Sequence, residues 1–596
     1  MSRICLLLCL ASIFLVQQVA SSSEWSYICQ KGNCLKVRAE QKESAISLGA
    51  CRLMCSSYAS LWPKPTGKME FKKSLIQLNV NSIDVLMPGE DTPVKRLVSA
   101  AAQRFKKNID LLAPENGRKP GGRSLVVNLH LKKTGSDKVV YQQDETYSLN
   151  VSVHTDGRII SDIEAENFYG ARNGLESLSQ LIIWDDIRSE YQMLDSVYLK
   201  DGPVYPHRGI LLDTARNFIS TDSIKRTIEA MGASKLNIFH WHITDSQSFP
   251  YTSKSAPYLT KLGAYTPSKV YSSQDVDEII AFGKVRGVKV LPEFDAPAHV
   301  GEGWQDTGYL ACFDKKPWQK YCVEPPCGQL DPTQDGMYDV LELIYKDMIE
   351  QFDPDIFHMG GDEVHEGCWD SERKIAEWMT DNNYTLNEAG FIKLWDKFQR
   401  EALKRFTKQR GYDVPIILWT STLTDEKYLM KYLPNSTYII QIWTTGSDKQ
   451  IRVLLENGYR TILSNYDALY FDCGFGSWVA DGNNWCSPYI GWQKVYENSP
   501  AKIAGKYSHL MMGAEAALWT EQSDDASVDG RIWPRAAALA ERLWAEPKST
   551  WKDAEDRFMI HRERLLKFKV NADSLQPEWC RQHQGSCSTD GILNMP

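Results

Sequence analysis

Hydrophobic and polar positions alternate in two segments of the first third of the chain. These segments are Ser124–Leu131 and Tyr147–Val153, and a helical pattern of apolar residues follows over Asn167–Ile183. Alternation of this kind is typical of an antiparallel sheet that buries one face and exposes the other. We therefore predict a small α+β support domain with an antiparallel sheet over residues 68–201, ending at the turn-rich segment Asp201–Pro206.

The pattern changes after residue 201, where short continuous apolar runs are separated by helical segments. Continuous runs are typical of parallel strands that are covered on both faces. Eight runs occur, at Gly209–Leu212, Leu236–Phe239, Val288–Leu291, Ile356–Met359, Pro415–Leu418, Tyr438–Ile442, Thr461–Leu463 and Leu510–Met512. Helical patterns fit between most of them, at Thr221–Ala233, Ser273–Val285, Met337–Gln351, Asn387–Phe406 and Arg535–Trp544. Eight β/α repeats predict a (β/α)8 TIM barrel over residues 202–570.

The fourth run ends in two glycines that are followed by two adjacent acids. Ile356–Met359 stops at Gly360 and Gly361, and Asp362 and Glu363 follow at once. Glycines let the backbone turn sharply and let another group approach, so the acids would lie at the mouth of a pocket. The alternative is a helix start, because Asp is a good N-cap and Glu suits a first turn.

Polar and aromatic residues follow nearly every predicted barrel strand, and this pattern favours the pocket. Active sites of such barrels lie at the carboxyl ends of the strands. The residues at these positions are Asp213, Arg216, His240, His242, Asp245, Glu293, Asp295, His299, His358, Asp362, Glu363, Trp419, Trp443, Tyr470, Asp472, Trp519 and Glu521. A single Trp or His after a strand is more often part of the core. A ring of carboxylates with flat aromatic walls, however, suits a neutral polyol.

Composition and charge narrow the class of ligand. The 596 residues are 43% hydrophobic and 24% charged, as in a soluble globular protein. A formal charge of -8 and a pI near 5.9 argue against nucleic acid or an anionic membrane as partner, since both select basic surfaces. A neutral ligand fits this chain better.

The first residues have the pattern of a cleavable secretory signal. Residues 1–22 hold one basic residue, Arg3, then an apolar run and then small residues, and the run is too short to span a bilayer. We therefore expect a secreted, extracellular protein with no membrane segment after cleavage, with a lysosomal destination left open. Sequons for N-glycosylation at Asn150, Asn383 and Asn435 agree with secretion.

The cysteines also indicate an oxidising compartment. Cleavage of the signal would remove Cys5 and Cys9 and leave twelve of the fourteen, an even number that predicts a disulfide framework without fixing its pairing. The twelve are Cys29, Cys34, Cys51, Cys55, Cys312, Cys322, Cys327, Cys368, Cys473, Cys486, Cys580 and Cys587. They mark a cysteine-rich segment over residues 23–67 and a disulfide-pinned tail over residues 571–596. Because paired Cys-x-x-Cys sets are missing from the sequence, no zinc site is predicted.

Paired carboxylic acids are the usual equipment of glycoside hydrolysis. One acid protonates the leaving oxygen while the other stabilises an oxocarbenium-like transition state. An enzyme that forms a glycosyl ester needs its two carboxyl groups about 5 Å apart, which usually draws them from different strands. Neighbours on one turn, such as Asp362 and Glu363, suit a nucleophile that the substrate itself supplies.

Four motifs carry a resemblance to a known family. They are His358–Glu363, His207–Arg216, His240–Asp245 and Pro292–His299. Over nearly the whole mature chain, the sequence resembles the family 20 β-N-acetylhexosaminidases, and among them the insect chitin-degrading branch. The resemblance implies an exo-acting, retaining hydrolase that releases terminal GlcNAc or GalNAc from chitooligosaccharides or other glycans. It also implies a homodimer, and neither a cofactor nor a metal is expected.

The resemblance further implies roles for individual residues. Glu363 would be the general acid/base, Asp362 would orient the substrate's 2-acetamido group, and Tyr470 would hydrogen-bond the acetamido oxygen. Asp245 and His299 would support the acid. The residues expected to bind sugar are Arg216, Trp419, Trp443, Trp519 and Glu521, together with Asp472 after the seventh strand.

A site beyond the cleaved bond is predicted in the loop between Cys473 and Cys486. The loop carries Trp478 and Trp485, and the resemblance places Trp485 against the next sugar with Val323 on the opposite side. Stacking on a flat indole ring would hold that sugar. The alternative is a surface loop whose tryptophans only pack.

A rival interpretation of the whole chain is a secreted sugar-binding protein whose catalysis has lapsed, since a fold does not fix a function. Such a protein would tolerate the loss of Glu363 or Tyr470. Both residues are present, with Asp362 beside the acid, and this favours an active enzyme.

Overall fold

The structure is a computed structural model that describes residues 24–39, 44–89, 91–114 and 121–587. The predicted signal over residues 1–22, with Cys5 and Cys9, lies outside the described residues, as does the end of the predicted tail from residue 588 onward. None of the helices described is both long and apolar enough to cross a membrane.

The two ends of the described chain lie against each other. Strand β1 (Trp25–Gln30) pairs antiparallel with β2 (Asn33–Arg38), and a helix follows over Leu48–Cys55. The backbone N–H of Cys34 donates to Gln584 Oε1 at 2.6 Å. The cysteine-rich segment therefore packs on the tail that was predicted to be pinned.

All twelve cysteines of the predicted framework form disulfides. The pairs are Cys29–Cys55, Cys34–Cys51, Cys312–Cys368, Cys322–Cys327, Cys473–Cys486 and Cys580–Cys587. Five bridges join cysteines at most 26 residues apart, and Cys312–Cys368 spans 56 residues. The bridges therefore stiffen mainly single loops and the termini.

The small domain is built on an eight-stranded sheet. Its strands are β3 (Met69–Phe71), β4 (Leu75–Leu86), β5 (Arg123–Leu131), β6 (Tyr147–Val153), β7 (Ile159–Ala165), β8 (Ile182–Asp185), β9 (Glu190–Leu194) and β10 (Val197–Asp201). Their spatial order is β3-β10-β6-β7-β5-β4-β9-β8. Most neighbours are antiparallel, as predicted, but β5 runs parallel to both β4 and β7. The helix Pro93–Asp110 crosses from β4 to β5 and makes that parallel pairing possible.

The second helix of the small domain is shorter than its apolar pattern predicts, because strand pairing takes over its last residues. Apolar periodicity predicts a helix over Asn167–Ile183, whereas the helix spans Phe168–Gln180, with the Asn167 side chain accepting from backbone N–H groups as its N-cap. Ile182 and Ile183 belong instead to β8, paired with β9. β-Branched side chains pack well on a sheet, and the neighbouring strand supplies that surface.

The barrel contains eight parallel strands in a closed ring. They are β11 (His207–Asp213), β12 (Ile238–His242), β13 (Lys289–Glu293), β16 (Phe357–His358), β17 (Ile416–Trp419), β18 (Tyr438–Ile442), β19 (Arg460–Leu463) and β20 (Met511–Leu518). A short pair, β14 (Leu310–Ala311) with β15 (Gln329–Leu330), lies in a connection. Each predicted apolar run overlaps one barrel strand, and the predicted barrel is confirmed.

Helices occupy the connections between the barrel strands and the segment after the last strand. They span Thr221–Ser234, Pro257–Gly263, Ser273–Val285, Asp335–Phe352, Glu366–Asp370, Arg373–Asp381, Glu388–Arg410, Glu426–Tyr432, Lys449–Glu456, Tyr466–Leu469, Trp492–Glu497, Pro500–Ala504, Val528–Ile532 and Arg535–Ala545, with Trp551–Lys567 and Glu578–Gln582 after the barrel. The five predicted helices fall on five of these within a few residues. The helix over Ser273–Val285 has the predicted bounds, because a Ser272–Asp275 capping box fixes its start.

The small domain closes the amino-terminal end of the barrel. Tyr141, from the connection between β5 and β6, packs on an apolar layer at that end, and its hydroxyl lies 3.3 Å from His207 Nδ1. Beside it, the guanidinium of Arg208 bonds both carboxylate oxygens of Glu145 at 2.8 Å. The barrel interior is therefore covered by the small domain at the end opposite the predicted site.

Candidate active site

A cavity of about 400 Å³ opens at the carboxyl ends of the barrel strands. Most predicted site residues line it: Arg216, His299, Val323, Asp362, Glu363, Trp443, Tyr470, Asp472, Trp478, Trp485, Trp519 and Glu521. The other two, Asp245 and Trp419, are buried behind this lining. The barrel thus brings side chains from seven of its eight strand ends to the cavity, with Trp419 of the remaining strand behind them.

The two glycines bend the chain so that another carboxyl group can pack against it. Gly360 and Gly361 have φ values of +61° and +80°. A Cβ on Gly360 would lie 1.9 Å from Asp295 Oδ1, and the N–H of Gly361 donates to that oxygen at 2.7 Å. The next helix begins only at Glu366, so the two acids before it belong to the pocket and the helix-start alternative is wrong.

Glu363 is held from behind by a histidine and a second acid. His299 Nε2 lies 3.2 Å from Glu363 Oε2, and His299 Nδ1 lies 3.1 Å from Asp245 Oδ2. Burial lowers the pKa of His299, but the negative charge of Asp245 and the hydrogen bonds to Asp245 and Glu363 outweigh it and raise that pKa well above its usual range. Both Glu363 and His299 have a left-handed backbone conformation, with φ values of +50° and +57°. Backbone strain of this kind is frequent at active sites.

Asp362 is buried beside a carboxyl group that carries a proton. Burial raises the pKa of Asp362 to about 6, and the charges of Glu363 and Glu293 add to the shift while His299 opposes it. Burial and the charge of Asp362 raise the pKa of Asp295 well above its usual range. These shifts favour the neutral form of Asp295, which can donate a hydrogen bond to Asp362 once Asp362 has ionised.

Trp443, Trp519 and Tyr470 form the aromatic wall of the cavity, and Trp419 is buried behind them. The ring of Trp519 lies 6.0 Å from that of Trp419 and 6.2 Å from that of Tyr470. Trp443 donates from Nε1 to the backbone oxygen of Thr420 at 2.7 Å. Burial, and next the charge of Asp362, raise the pKa of Tyr470 well above its usual range, so its hydroxyl remains a hydrogen-bond donor.

Two disulfide-closed loops form the rim of the cavity. The loop between Cys473 and Cys486 carries Trp478 and Trp485, which are 43% and 64% exposed. The Trp485 ring lies 6.1 Å from that of Tyr470 and 6.2 Å, at 90°, from that of Trp443. Trp485 therefore extends the aromatic wall outward and presents an open face to solvent, in contrast to a tryptophan that only packs.

The other rim loop holds a residue that the sequence did not single out. Glu324 lies between Cys322 and Cys327, next to Val323, and its Oε1 accepts from Arg216 Nη2 at 2.8 Å. Trp318 of the same connection also lines the cavity. The closely spaced cysteines were the signal that could have marked Glu324, because they fold a short acidic loop over the site.

Two further acids at the cavity wall are protonated more readily than usual. Burial raises the pKa of Asp472 to about 7. Burial also raises the pKa of Glu521 well above its usual range, against the opposing charge of Arg216. When ionised, either carboxyl group accepts hydrogen bonds from hydroxyl groups, and when neutral it can also donate one. Both states therefore suit contact with the hydroxyl groups of a sugar.

The parallel barrel and the adjacent acids at its carboxyl end define a glycosidase type of active site. The model of the glycosyl hydrolase family 20 catalytic domain matches residues 205–547, and a model described as beta-acetyl hexosaminidase like matches residues 61–181. The chain belongs to glycosyl hydrolase family 20 and is a β-N-acetylhexosaminidase, a glycoside hydrolase.

Two insect proteins are similar along their whole length. The chain is 52% identical to the chitooligosaccharidolytic beta-N-acetylglucosaminidase of Bombyx mori, over 97% of this chain and 99% of that protein. It is 53% identical to the protein of that description from Ostrinia furnacalis, over 96% and 97% of the two chains.

Solved structures of more distant relatives share the fold. An exo beta-N-acetylglucosaminidase from Vibrio harveyi, in complex with N-acetylglucosamine, superimposes with a TM-score of 0.70 at 21% identity, over 92% of this chain and 84% of that one. A chitobiase from Flavobacterium johnsoniae gives a TM-score of 0.68 at 24% identity, over 86% and 73% of the chains.

Replacing Gly360 by alanine should cut turnover without unfolding the protein. The new Cβ would clash with the Asp295 carboxyl and displace the turn before Asp362, and misplacement by about 1 Å can cost on the order of a hundredfold in rate. The measurement is kcat of Gly360→Ala. Gly411→Ala is the matched control, since Gly411 also has positive φ but no atom within 4 Å of its added Cβ. An unchanged kcat in Gly360→Ala would contradict the role of this turn.

Proposed function

We propose that the enzyme removes single GlcNAc residues from the non-reducing ends of β-linked chitooligosaccharides, with retention and with the substrate's acetamide as nucleophile. The observation that carries this proposal is the position of Asp362 and Glu363 on one turn, facing a single cavity. Two carboxylates from one turn cannot flank a sugar ring in the way that a double-displacement enzyme requires.

Glu363 acts in the proposal as the general acid. It lies in the cavity lining, and the contact with His299 Nε2 at 3.2 Å fixes its orientation. In the first step, the Glu363 proton passes to the glycosidic oxygen while the bond from that oxygen to the anomeric carbon breaks. The His299–Asp245 pair stabilises the carboxylate that remains.

The acetamide oxygen forms the new bond to the anomeric carbon. Attack gives a five-membered oxazolinium ring, whose positive charge lies near the ionised Asp362. In the proposal, Tyr470 donates to the attacking oxygen, and the tryptophan wall excludes water. A carboxylate already oriented in a dry pocket stabilises developing charge more than water would.

Water completes the reaction on the same face that the leaving group has left. Glu363, now ionised, takes the proton from water as the oxygen attacks the anomeric carbon and the bond to the acetamide oxygen breaks. Two inversions give net retention. The released product is GlcNAc, and Glu363 regains its proton.

The rim supports a preference for chains of sugars. Trp485 and Trp478 expose flat ring faces beside the cavity, and Val323 lies on the opposite loop. The two insect relatives are named for action on chitooligosaccharides. We place the sugar beyond the cleaved bond against Trp485.

Secretion, glycosylation and a homodimer form the wider part of the proposal. Six disulfides support an oxidising destination, outside the cell or in a lysosome. The sequon residues Asn150, Asn383 and Asn435 are exposed and accessible to a glycan. The homodimer follows from the family resemblance, and sedimentation of the purified enzyme would test it.

The mechanism predicts that the acetamide is indispensable. A β-glucoside without it should be inert, and a thiazoline analogue of the cyclised intermediate should bind far more tightly than GlcNAc. Glu363→Gln should reduce turnover of chitobiose much more than turnover of an activated dinitrophenyl glycoside, whose leaving group needs no proton. A covalent adduct of a fluorinated sugar on any carboxylate, seen by mass spectrometry, would disprove the mechanism.

The acidic side of the pH profile should report Asp362. The pKa of this residue is raised to about 6, so its neutral form persists to higher pH than for an ordinary Asp. Because the ionised form is needed, kcat/KM should fall as pH drops below about 6, approaching tenfold per unit. Asp362→Asn should abolish this dependence, and Asp156→Asn, an exposed acid paired with Arg158, should leave it intact. A fall only near pH 4 would argue against the assignment.

Trp485→Ala should weaken binding of oligosaccharides selectively. Loss of stacking worth about 1 kcal/mol corresponds to roughly a fivefold rise in KM for chitobiose and chitotriose. A short aryl substrate should be less affected. Trp579→Ala, on another largely exposed tryptophan in the tail, serves as control and should leave both KM values unchanged. An unaltered KM for chitobiose in Trp485→Ala would refute the placement.

A further inference from the structure

One buried carboxylate lies at the centre of the barrel below the active site. Glu293, the last residue of β13, is 1% exposed. Its Oε2 is 2.6 Å from His242 Nδ1 and 3.1 Å from His240 Nε2. Its Oε1 is 2.8 Å from Trp419 Nε1 and 3.1 Å from His358 Nδ1. Two ring nitrogens therefore lie near each oxygen of Glu293, and those of His242 and Trp419 are in hydrogen-bond geometry with it.

Glu293 belongs to a row of alternating acids and histidines that we name the charged column: Glu515, His240, Glu293, His242 and Asp245. Glu515 Oε1 lies 2.7 Å from His240 Nδ1. His242 Nε2 lies 2.9 Å from Asp245 Oδ2. The column ends at Asp245, which contacts His299 and, through it, Glu363.

Carboxylates surround both histidines of the column. Each ring nitrogen of His240 and His242 lies within 3.1 Å of a carboxylate oxygen, and negative charge on both sides of a ring favours its protonated, imidazolium form. Burial lowers the pKa of His240, but Glu515 and Glu293 outweigh it and raise that pKa to about 9. His242 is shifted upward in the same way by Glu293 and Asp245. The column therefore alternates in sign from end to end.

Stability alone is a poor reason for such a column. Buried ion pairs are often no better than well-packed apolar residues of the same volume, because desolvation offsets their attraction. The interior of a TIM barrel is commonly filled by branched apolar side chains. A fixed row of charges does, however, hold the last member, Asp245, at a defined position and charge.

We propose that Glu293 is a positioning residue for the acid: through His242 it fixes Asp245, and through Asp245 and His299 it orients Glu363. Through Oε1 it also anchors Trp419, whose ring lies 6.0 Å from that of Trp519 in the cavity wall. Glu293 thus contacts both the chain of residues that orients the acid and the tryptophan behind the acetamide pocket. The inference rests on the proposed role of Glu363 as general acid.

The test compares two substrates that differ in their need for a proton. Glu293→Gln keeps the shape of the side chain and removes its charge. Loss of a supporting residue of this kind typically costs about ten- to a hundredfold, and we expect that loss in kcat for chitobiose. The dinitrophenyl glycoside, which needs no proton, should change much less. Titration with the thiazoline inhibitor counts folded sites, so that each kcat refers to competent enzyme.

Glu541→Gln provides the matched control. Glu541 is equally buried and bonds Arg557 and Tyr496 on the outer helices of the barrel, away from the column. Its removal should change both substrates by one common factor. If Glu293→Gln yields no folded protein, His242→Gln removes the ring that links Glu293 to Asp245 and should show the same selective loss.

The outcomes separate this inference from the proposed function. If Glu363→Gln is selective but Glu293→Gln and His242→Gln lower both substrates equally, the positioning role is wrong and the acid assignment stands. If Glu363→Gln itself is not selective, the proposed function fails. Selective loss in all three variants, with none in Glu541→Gln, supports both.

Discussion

The carboxyl-terminal end of this barrel holds many buried carboxyl groups, and their negative charge must be neutralised by neighbouring groups or by protons. Glu293, Asp245 and Asp362 lie close together where water is largely excluded, and an isolated buried charge would be very costly. The structure meets this constraint in two ways. Histidinium rings and Arg216 neutralise some of the acids, while a shared proton neutralises Asp295. The pattern of charged and neutral acids in the cavity follows from that division.

The close packing around Asp295 depends on the same constraint. Asp295 can approach Asp362 only because Gly360 has no side chain and turns through positive φ. A proton on Asp295 then lets two carboxyl groups share a site that would otherwise hold two like charges. Backbone shape and protonation state are therefore set together, and the turn decides where the reactive acids face.

The cavity combines a rigid interior with a more open rim. Its floor is tied to the barrel core, where Trp419 is buried and bonded to Glu293, and the small domain covers the far end of the barrel with Tyr141. At the rim, Trp485 is largely exposed and its loop is restrained by a disulfide. This arrangement suits fixed recognition of one terminal sugar and looser contact with the next.

The sequence by itself determined most of the strands and helices and the position of the two adjacent acids, because both depend on local patterns of residues. Continuous apolar runs predict the barrel strands, and two glycines before Asp362 predict a turn into a pocket. Only the tertiary structure decided which distant segments meet. It set the parallel pairing of β5 and the partners of the six disulfides. It also placed Glu324 against Arg216, and Glu293 among four ring nitrogens. Periodicity fixes the face and the end of a strand, whereas contacts across the barrel depend on the register between strands distant in the chain.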